Sequence, residues 1–596
     1  MAQSARVQRS LFSHPITAGL GRIEQITSAP LQKRVDGAGA AHIDPRLSPP
    51  DISLILRLGA SDCLRHGVLP WRQIGGATVI LSSRPDQIKR HLSRLELLFG
   101  PVRVALCTET ALQAAVLLTS GPALAAQAEA RVDASDSCRT WNARRTLMYA
   151  SAGLVATAGL ALLLPYFMLG LLVAWAVLTL FFGTALKAAA GWLALSRPAR
   201  PTAGQSPVLA RLPVVSVFVP LYREREIARH LLTRLSVIDY PADLLDICLI
   251  LEDDDELTRA TLGQVELPAH FQIIEVPKAT LRTKPRALNY ALDFAKGSII
   301  GIYDAEDAPA PDQISKVVQR FAELGPEVAC LQGILDYYNS DSNWLARCFT
   351  LEYATWFRVI LPGLQRLGLV VPLGGTTLFL RRPAIEAVGG WDAHNVTEDA
   401  DLGLRLVRHG FRTELIETVT QEEANARTLP WIKQRSRWLK GYAVTWAVHM
   451  RNPARLWRDI GPWRFLGVQV LFLGTLSQFV LAPLLWSFWI IPFGIHHPVL
   501  DILPAGIVMG IGIFFLMSEL IGIVVAAMAA QRAGKPWLMV WAPTLQLYFI
   551  LASFAVYKAL VEIVTRPYYW DKTVHGIFPA ATNLPPEPLL HPIAAE

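Results

Sequence analysis

The N-terminus of the chain lacks a short apolar core followed by a small-residue cleavage site. No cleaved signal is therefore expected, and the first apolar stretch long enough to insert begins near residue 147. Cysteine is scarce and unpatterned. Cys63, Cys107, Cys138, Cys248, Cys330 and Cys348 show no paired spacing, which argues against a disulfide framework and reads as buried free thiols in a reducing compartment. Charged residues make up only 18% of the chain against 52% hydrophobic, too apolar for a wholly soluble protein, and 596 residues exceed one ordinary domain. The net charge of +7 is accounted for by loops beside anionic lipid, so membrane lipids are expected partners and nucleic acid is not.

Long apolar runs are present in two blocks. The first, 147–195, holds two membrane helices, about 147–166 and 168–194, joined by an uncharged turn at Pro165. The second, 466–564, holds three or more spanning or re-entrant helices at about 466–492, 502–530 and 537–563. Arg139, Arg144 and Arg145 precede the first block, and Lys187, Arg197, Arg200 and Arg211 surround its exit. The positive-inside rule then predicts an integral inner-membrane protein with its N-terminal module and central domain in the cytoplasm. A plain count of five crossings puts the C-terminus outside, against the charges of Lys558, Arg566 and Lys572. A break at Pro543 into a re-entrant half and an interfacial half would keep the tail inside.

Between and before these blocks lie the other segments. Residues 1–45 read as a disordered tail. Residues 46–130 read as a small α/β module with a helix at ISLILRLG, strands at ATVILSS and VRVALCT, and a helix over PDQIKRHLSRLELLFG. With its phrase HGVLPW before a strand, this module is similar to the N-terminal domain of type II secretion ATPases. That resemblance implies docking or regulation, with a regulatory or export partner, and no catalysis. The central domain spans 200–450, an interfacial helix 451–465, and a C-terminal tail 565–596.

In the central domain, VVSVFVP (214–220), LDICLILE (245–252) and SIIGIYD (298–304) are β-branched runs of fully buried strands, with a helix over TKPRALNYALDFAKG (283–297). This alternation predicts a parallel sheet whose ligands collect at the carboxyl ends of the strands. Acidic clusters stand at two such ends: Glu252 to Asp255, and the three carboxylates of YDAEDAP. Asp304 and Glu306 can turn oxygens to one divalent cation, with Lys284, Arg286 and Asn289 as diphosphate contacts. A solvated acidic turn is the plain alternative. Downstream, Thr397, Glu398 and Asp399 open a helix, where they would either cap it or provide a general base. In WIKQRSRWLKGY (431–442), Gln434, Arg437 and Trp438 share one helical face, suited to clamping a diphosphate and stacking a sugar, or to lying at a membrane surface.

Taken in order over about 145–576, these stretches resemble the membrane-bound family 2 glycosyltransferases, the group of cellulose, chitin and hyaluronan synthases. The resemblance implies an α/β GT-A glycosyltransferase domain inserted between transmembrane helices. It also implies a nucleotide-sugar donor, with UDP as the expected nucleotide, a glycan or lipid acceptor, and Mg²⁺ or Mn²⁺. By it, Asp253 and then Glu252 would meet the nucleotide, and Lys284, Asn289 and Asp304 the donor diphosphate. Asp304 with Glu306 or Asp307 would hold the metal, since Glu306 stands where the family has a second aspartate. Asp399, with Glu398 beside it, would be the base, and Gln434, Arg437 and Trp438 would hold donor phosphates and acceptor sugar. The tail PYYWDKTVHG (567–576) resembles a segment that follows the last helices of some relatives. The implied activity is inverting transfer of a hexose to a growing β-linked polysaccharide, with coupled export. A glycolipid synthase adding one sugar is the second reading, and a non-catalytic membrane scaffold the third.

Overall fold

The computed structural model describes residues 42–196, 209, 211–224 and 227–569. Most of the expected N-terminal tail, and the C-terminal tail from residue 570, lie outside them. The chain divides into two compact units, Met1–Ala126 with Leu292–Lys296, and the remainder.

The first unit carries helices α1 (Ile52–Leu58) and α2 (Ala60–His66) and a three-stranded sheet of β1 (Val68–Ile74), β2 (Ala77–Ser82) and β3 (Val102–Leu106), with α3 (Leu92–Phe99) between the last two strands. Strand β1 is built from VLPWRQI, for which no strand was expected. Proline is tolerated here because the register shifts between Pro70 and Arg72 and β1 is an edge strand. Helix α4 (Glu109–Ala130) follows β3 and carries the chain into the second unit.

The second unit opens with α5 (Ala143–Leu163) and α6 (Pro165–Ser196), both long and apolar enough to cross a membrane. Its central part is an eight-stranded sheet, in chain order β4 (Val215–Leu221), β5 (Leu245–Glu252), β6 (Phe271–Val276), β7 (Ile299–Ile302), β8 (Ala308–Pro309), β9 (Val328–Tyr337), β10 (Leu378–Arg381) and β11 (Arg412–Glu422). Their spatial order is β6-β5-β4-β7-β10-β9-β11-β8. Strands β4 to β7 are parallel, as the apolar runs of β4, β5 and β7 and the helix before β7 predict. The whole sheet is mixed, however, because β10 pairs antiparallel with both β7 and β9.

Helices α7 (Lys284–Ala291), α8 (Gln313–Glu323), α9 (Trp344–Thr355), α10 (Glu398–Arg408) and α11 (Thr428–His449) complete this part. Beyond it come α12 (Pro453–Val468), α13 (Thr475–Ser487), α14 (Ala505–Arg532) and α15 (Leu545–Thr565). Gly461, at φ 77° and followed by Pro462, breaks α12, so its first turns, within the segment expected to lie at the interface, are set off from the membrane run. The stretches 453–493, 505–532 and 536–565 are long and apolar enough to span, which makes five such segments among the described residues. The last does not point away from the central part. Tyr548, near the start of α15, accepts from Trp431 of α11 at 2.9 Å, and Glu562, near its end, pairs with Lys440 of the same helix at 3.1 Å. Helix α15 therefore runs alongside α11, leaving Leu547, Phe554 and Val561 exposed on its other face.

Candidate active site

At the carboxyl end of β7 the chain turns sharply through Asp304 to Asp307. The Asp304 amide donates to Asp307 Oδ2 at 2.8 Å and to Thr376 Oγ1 at 3.2 Å, and the Thr376 hydroxyl in turn donates to Asp307. These bonds turn Asp307 into the protein, where it is fully buried, and leave Asp304 and Glu306 on the wall of a cavity. Thr377, beside Thr376, is held at φ 55°, a left-handed conformation that is costly for a β-branched residue. Bonds from its amide to the Ile302 carbonyl (2.9 Å) and from the Gly333 amide to its own carbonyl (3.0 Å) keep it there.

Lys284, at the start of α7, is ion-paired with Asp304 and donates to the Gly375 carbonyl at 2.8 Å. Burial opposes its charge, but Asp304, Glu398 and Asp399 outweigh burial and hold the ammonium above the usual lysine range. The lysine thus braces the end of β7 against the loop entering β10. A Cβ at Gly375 in that loop would stand 3.2 Å from Asp399 Oδ2, so that carboxylate would have to shift.

Asp399 and Glu398 open α10. Thr397 is the N-cap residue, yet its side chain makes no capping bond, while Asp399 Oδ1 accepts from the Ala400 amide at 2.8 Å. Capping by Thr397 therefore does not account for this triplet, and both acids line the cavity. Burial, then the neighbouring Asp399 charge, pushes the Glu398 carboxyl up to about 7. Burial likewise raises Asp399, against the pull of its own helix amides and of Lys284. Helix α11 passes close beside them, because Gly441 has no Cβ that would strike Thr397.

On α11, Gln434, Arg437 and Trp438 all line the cavity, as their shared face requires. Gln434 Oε1 accepts from Asn425 at 2.9 Å. Trp438 lies 6.1 Å from both Phe349 and Tyr353, ring to ring, so its indole is backed by other aromatics. Between them, Arg435 pairs with Glu352 at 2.5 Å, beneath Trp438 at 4.8 Å, and Tyr548 closes the group. Sequence reasoning missed this triad, whose members come from α9, α11 and α15.

The donor-side expectations divide. Glu252 lines the cavity, is paired with Arg286 at 3.1 Å, and has its carboxyl pushed up to about 7 by burial against the pull of that arginine. Asp253 accepts from the Lys278 amide at 2.9 Å and does not line the cavity. Asn289 is also elsewhere. It is fully buried, donating to the carbonyls of Ala128 (3.0 Å) and Trp391 (2.7 Å) and accepting from the Trp391 amide (2.9 Å). Its place one turn beyond Lys284 put it near the site in sequence, but the helix turns it toward the backbone it staples. Arg282 and Tyr222, not singled out in the sequence, line the cavity and bond each other at 2.8 Å.

The cavity encloses about 1180 Å³ and continues from these groups into the membrane helices, reaching Lys187, Gln478, Trp486, Glu519 and Gln546. Two stretches of wider, π-helical turns, Trp356–Ile360 and Gln469–Gly474, border it.

Such an arrangement, with acids at the ends of parallel strands, a mixed sheet and an acid pair opening a helix beneath a basic and aromatic face, is that of a GT-A glycosyltransferase. Residues 213–441 match the family described as Glycosyltransferase like family 2, and residues 38–124 match the MshEN domain. The chain thus carries a domain that matches the family 2 glycosyltransferases. Among curated proteins it is 25% identical to a β-monoglucosyldiacylglycerol synthase of Synechocystis over 381 residues, 61% of this chain and 75% of that protein. It is 25% identical to a probable glycosyltransferase of Bacillus subtilis over 39% of this chain and 56% of that protein. To cellulose synthase 2 of Novacetimonas hansenii it is 28% identical, over 38% of this chain and 14% of that protein. The chain spans between about half and three quarters of the length of the first two relatives. A solved mannosyltransferase of Pyrobaculum calidifontis, in complex with GDP-Man and Mn²⁺, aligns at a TM-score of 0.41 and 19% identity, over 64% of this chain and 97% of that one.

Proposed function

We propose that this protein is an inverting membrane glycosyltransferase that moves a hexose from a UDP-sugar to a growing β-linked polysaccharide, extending it toward its own membrane helices. The observation that carries this reading is the single cavity that joins Asp304, Lys284 and Asp399 to Gln478, Trp486, Glu519 and Gln546. Polar side chains and indoles at membrane depth suit a hydroxyl-rich acceptor and have no use facing lipid tails.

The acceptor hydroxyl attacks the anomeric carbon as the bond from that carbon to the donor phosphate breaks. Asp399 takes the hydroxyl proton, and burial, by raising its affinity for protons, suits it to act as a base. The nucleotide diphosphate leaves with the electron pair, opposite Lys284 and Arg282. Glu252 and Arg286 lie toward the nucleotide end, and Gln434, Arg437 and Trp438 hold donor phosphates and acceptor sugar.

The residues present fit a divalent cation. No three His, Cys, Asp or Glu converge into a ready-made centre among the described residues, but Asp304, Glu306, Asp307 and Glu422 crowd one another's charge, and a buried oxygen of Glu422 has no hydrogen-bond partner. Mg²⁺ commonly takes only one or two carboxylates and completes its shell with phosphate and water. Asp304 and Glu306 are the pair on the cavity wall; Asp307 serves the turn. Mg²⁺ or Mn²⁺ there would offset charge on the departing diphosphate.

A glycolipid synthase is the second reading, favoured by the similarity to a β-monoglucosyldiacylglycerol synthase over 61% of this chain. The deciding experiment is incorporation of labelled sugar from a panel of UDP-sugars by membranes carrying the protein, with Mg²⁺ or Mn²⁺, followed by product sizing. A long polymer, absent with Asp399→Asn, is expected. A single sugar on extractable lipid would replace the first reading by the second, and no product with any donor would overturn both.

A further inference from the structure

The loop between β6 and α7, residues 277–283, has no helix or sheet bonds of its own, yet Arg282 and Thr283 line the cavity and Lys284 follows directly. Side chains hold it in place. Asp253 takes the Lys278 amide, the Thr283 hydroxyl donates to the Ala393 carbonyl at 2.7 Å, and the middle of the loop is held by Glu129. One Glu129 oxygen accepts from Thr280 Oγ1 at 2.7 Å and the other from the Leu281 amide at 3.1 Å. The same carboxylate lies 3.6 Å from the guanidinium of Arg286, whose other end meets Glu252. Arg286 has only 1% of its side chain exposed, so this buried cation is shared between a cavity acid and an acid of the segment that precedes the membrane helices.

The neighbours of Glu129 are fastened as well. The Ala128 carbonyl accepts from Asn289, and Arg131 donates to the Asn289 carbonyl at 3.1 Å. Gly389, at φ 79°, leaves room for the Arg131 carbonyl, which a Cβ would approach to 2.8 Å. Further on, Ser137 Oγ and the Cys138 amide clamp Asp392 at 2.8 and 2.7 Å. These contacts form a strap along the donor side of the catalytic domain.

We propose that Glu129 is a positioning residue for the donor site, and that through it donor binding answers to helix α4. By holding Thr280 and Leu281 it sets Arg282 and Lys284 against the diphosphate. Because it stands in the last turn of α4, a displacement of that turn would reach the donor loop through one side chain. This rests on the reading of the cavity as a nucleotide-sugar site. Coupling of this kind is reciprocal, so nucleotide should also steady residues 128–131.

The test uses the full chain in detergent, with UDP as the probe and two readouts: the UDP dissociation constant and amide hydrogen exchange of residues 278–283. Glu129→Ala should speed exchange in that loop and weaken UDP about tenfold, the size expected for losing bonds to a charged group. Glu129→Gln keeps an oxygen for the Leu281 amide and should stay within about threefold of wild type. Thr280→Val, which removes one bond and leaves Glu129 in place, should move both readouts the same way by a smaller amount. Donor KM should rise with kcat little changed, whereas general damage would lower kcat. Unchanged exchange in 278–283 with Glu129→Ala overturns the proposal; if that variant fails to fold, unchanged exchange with Thr280→Val does so. Faster exchange in a chain whose wild type binds no UDP would keep the strap and overturn the donor reading.

Discussion

Helix α10 has two faces that treat buried carboxylates in opposite ways. On the face away from the cavity, Asp401 is fully buried. Burial pushes its carboxyl up, but Arg405 at 2.7 Å and His449 at 3.0 Å outweigh burial and hold it below the usual range. On the cavity face, two and three residues earlier, Asp399 and Glu398 are raised. The opposing charges that act on them, Lys284 and Arg437, do not outweigh burial. Burial is common to both faces, so the position of the counter-charge decides which carboxylate is structural and which can take a proton.

Exchanging the charges on the two faces tests this contrast. Asp399→Asn should lower sugar transfer by roughly 10³–10⁴-fold with the unfolding temperature kept, measured by label incorporation and thermal unfolding of the purified protein. Asp401→Asn should do the reverse first, leaving Arg405 buried without its partner at a cost of about 3–5 kcal/mol, seen as a lower unfolding temperature. Equal loss of stability in the two variants would erase the distinction.

Glu398→Gln sharpens it. The folded carboxyl binds its proton more tightly than the unfolded one, so the stability it contributes is present at low pH and lost as pH rises from 4.5 through about 7. The glutamine variant should be more stable than wild type at pH 8, by ~1–3 kcal/mol, with no advantage near pH 4. Because burial raises Asp399 as well, wild-type activity should fall as pH drops into the acid range, and a flat rate from pH 8 to pH 5 would remove this acid pair from proton transfer. The smallest effect is expected on the opposite wall. Trp438→Leu should raise acceptor KM by about 2–12-fold, the worth of one aromatic contact, with donor KM unchanged.

Much of the architecture is legible in residue order. The apolar runs of β4, β5 and β7 fall where continuous β-branched stretches place them, and the acids that follow them stand at strand ends. Helix α11 presents Gln434, Arg437 and Trp438 on one face because spacing alone demands it. Strand β1, which was not expected, contains Pro70, and a register shift on an edge strand accommodates it. The group of Glu352, Arg435 and Tyr548 was hidden because its members lie 83 and 113 residues apart along the chain. Asn289 shows the converse: its spacing from Lys284 suggested a shared ligand, while its amide serves Ala128 and Trp391.

From the sequence alone came the two apolar blocks, the catalytic domain between them and the acids and bases available to it, since hydropathy and periodicity are properties of neighbouring residues. Only the tertiary structure decided which of Asp304, Glu306 and Asp307 reach the cavity, which of Asp399 and Asp401 keeps a counter-charge beside it, and that α15 lies along α11. Each of those outcomes depends on partners brought together from distant parts of the chain, and both burial and ion pairing are set by such partners.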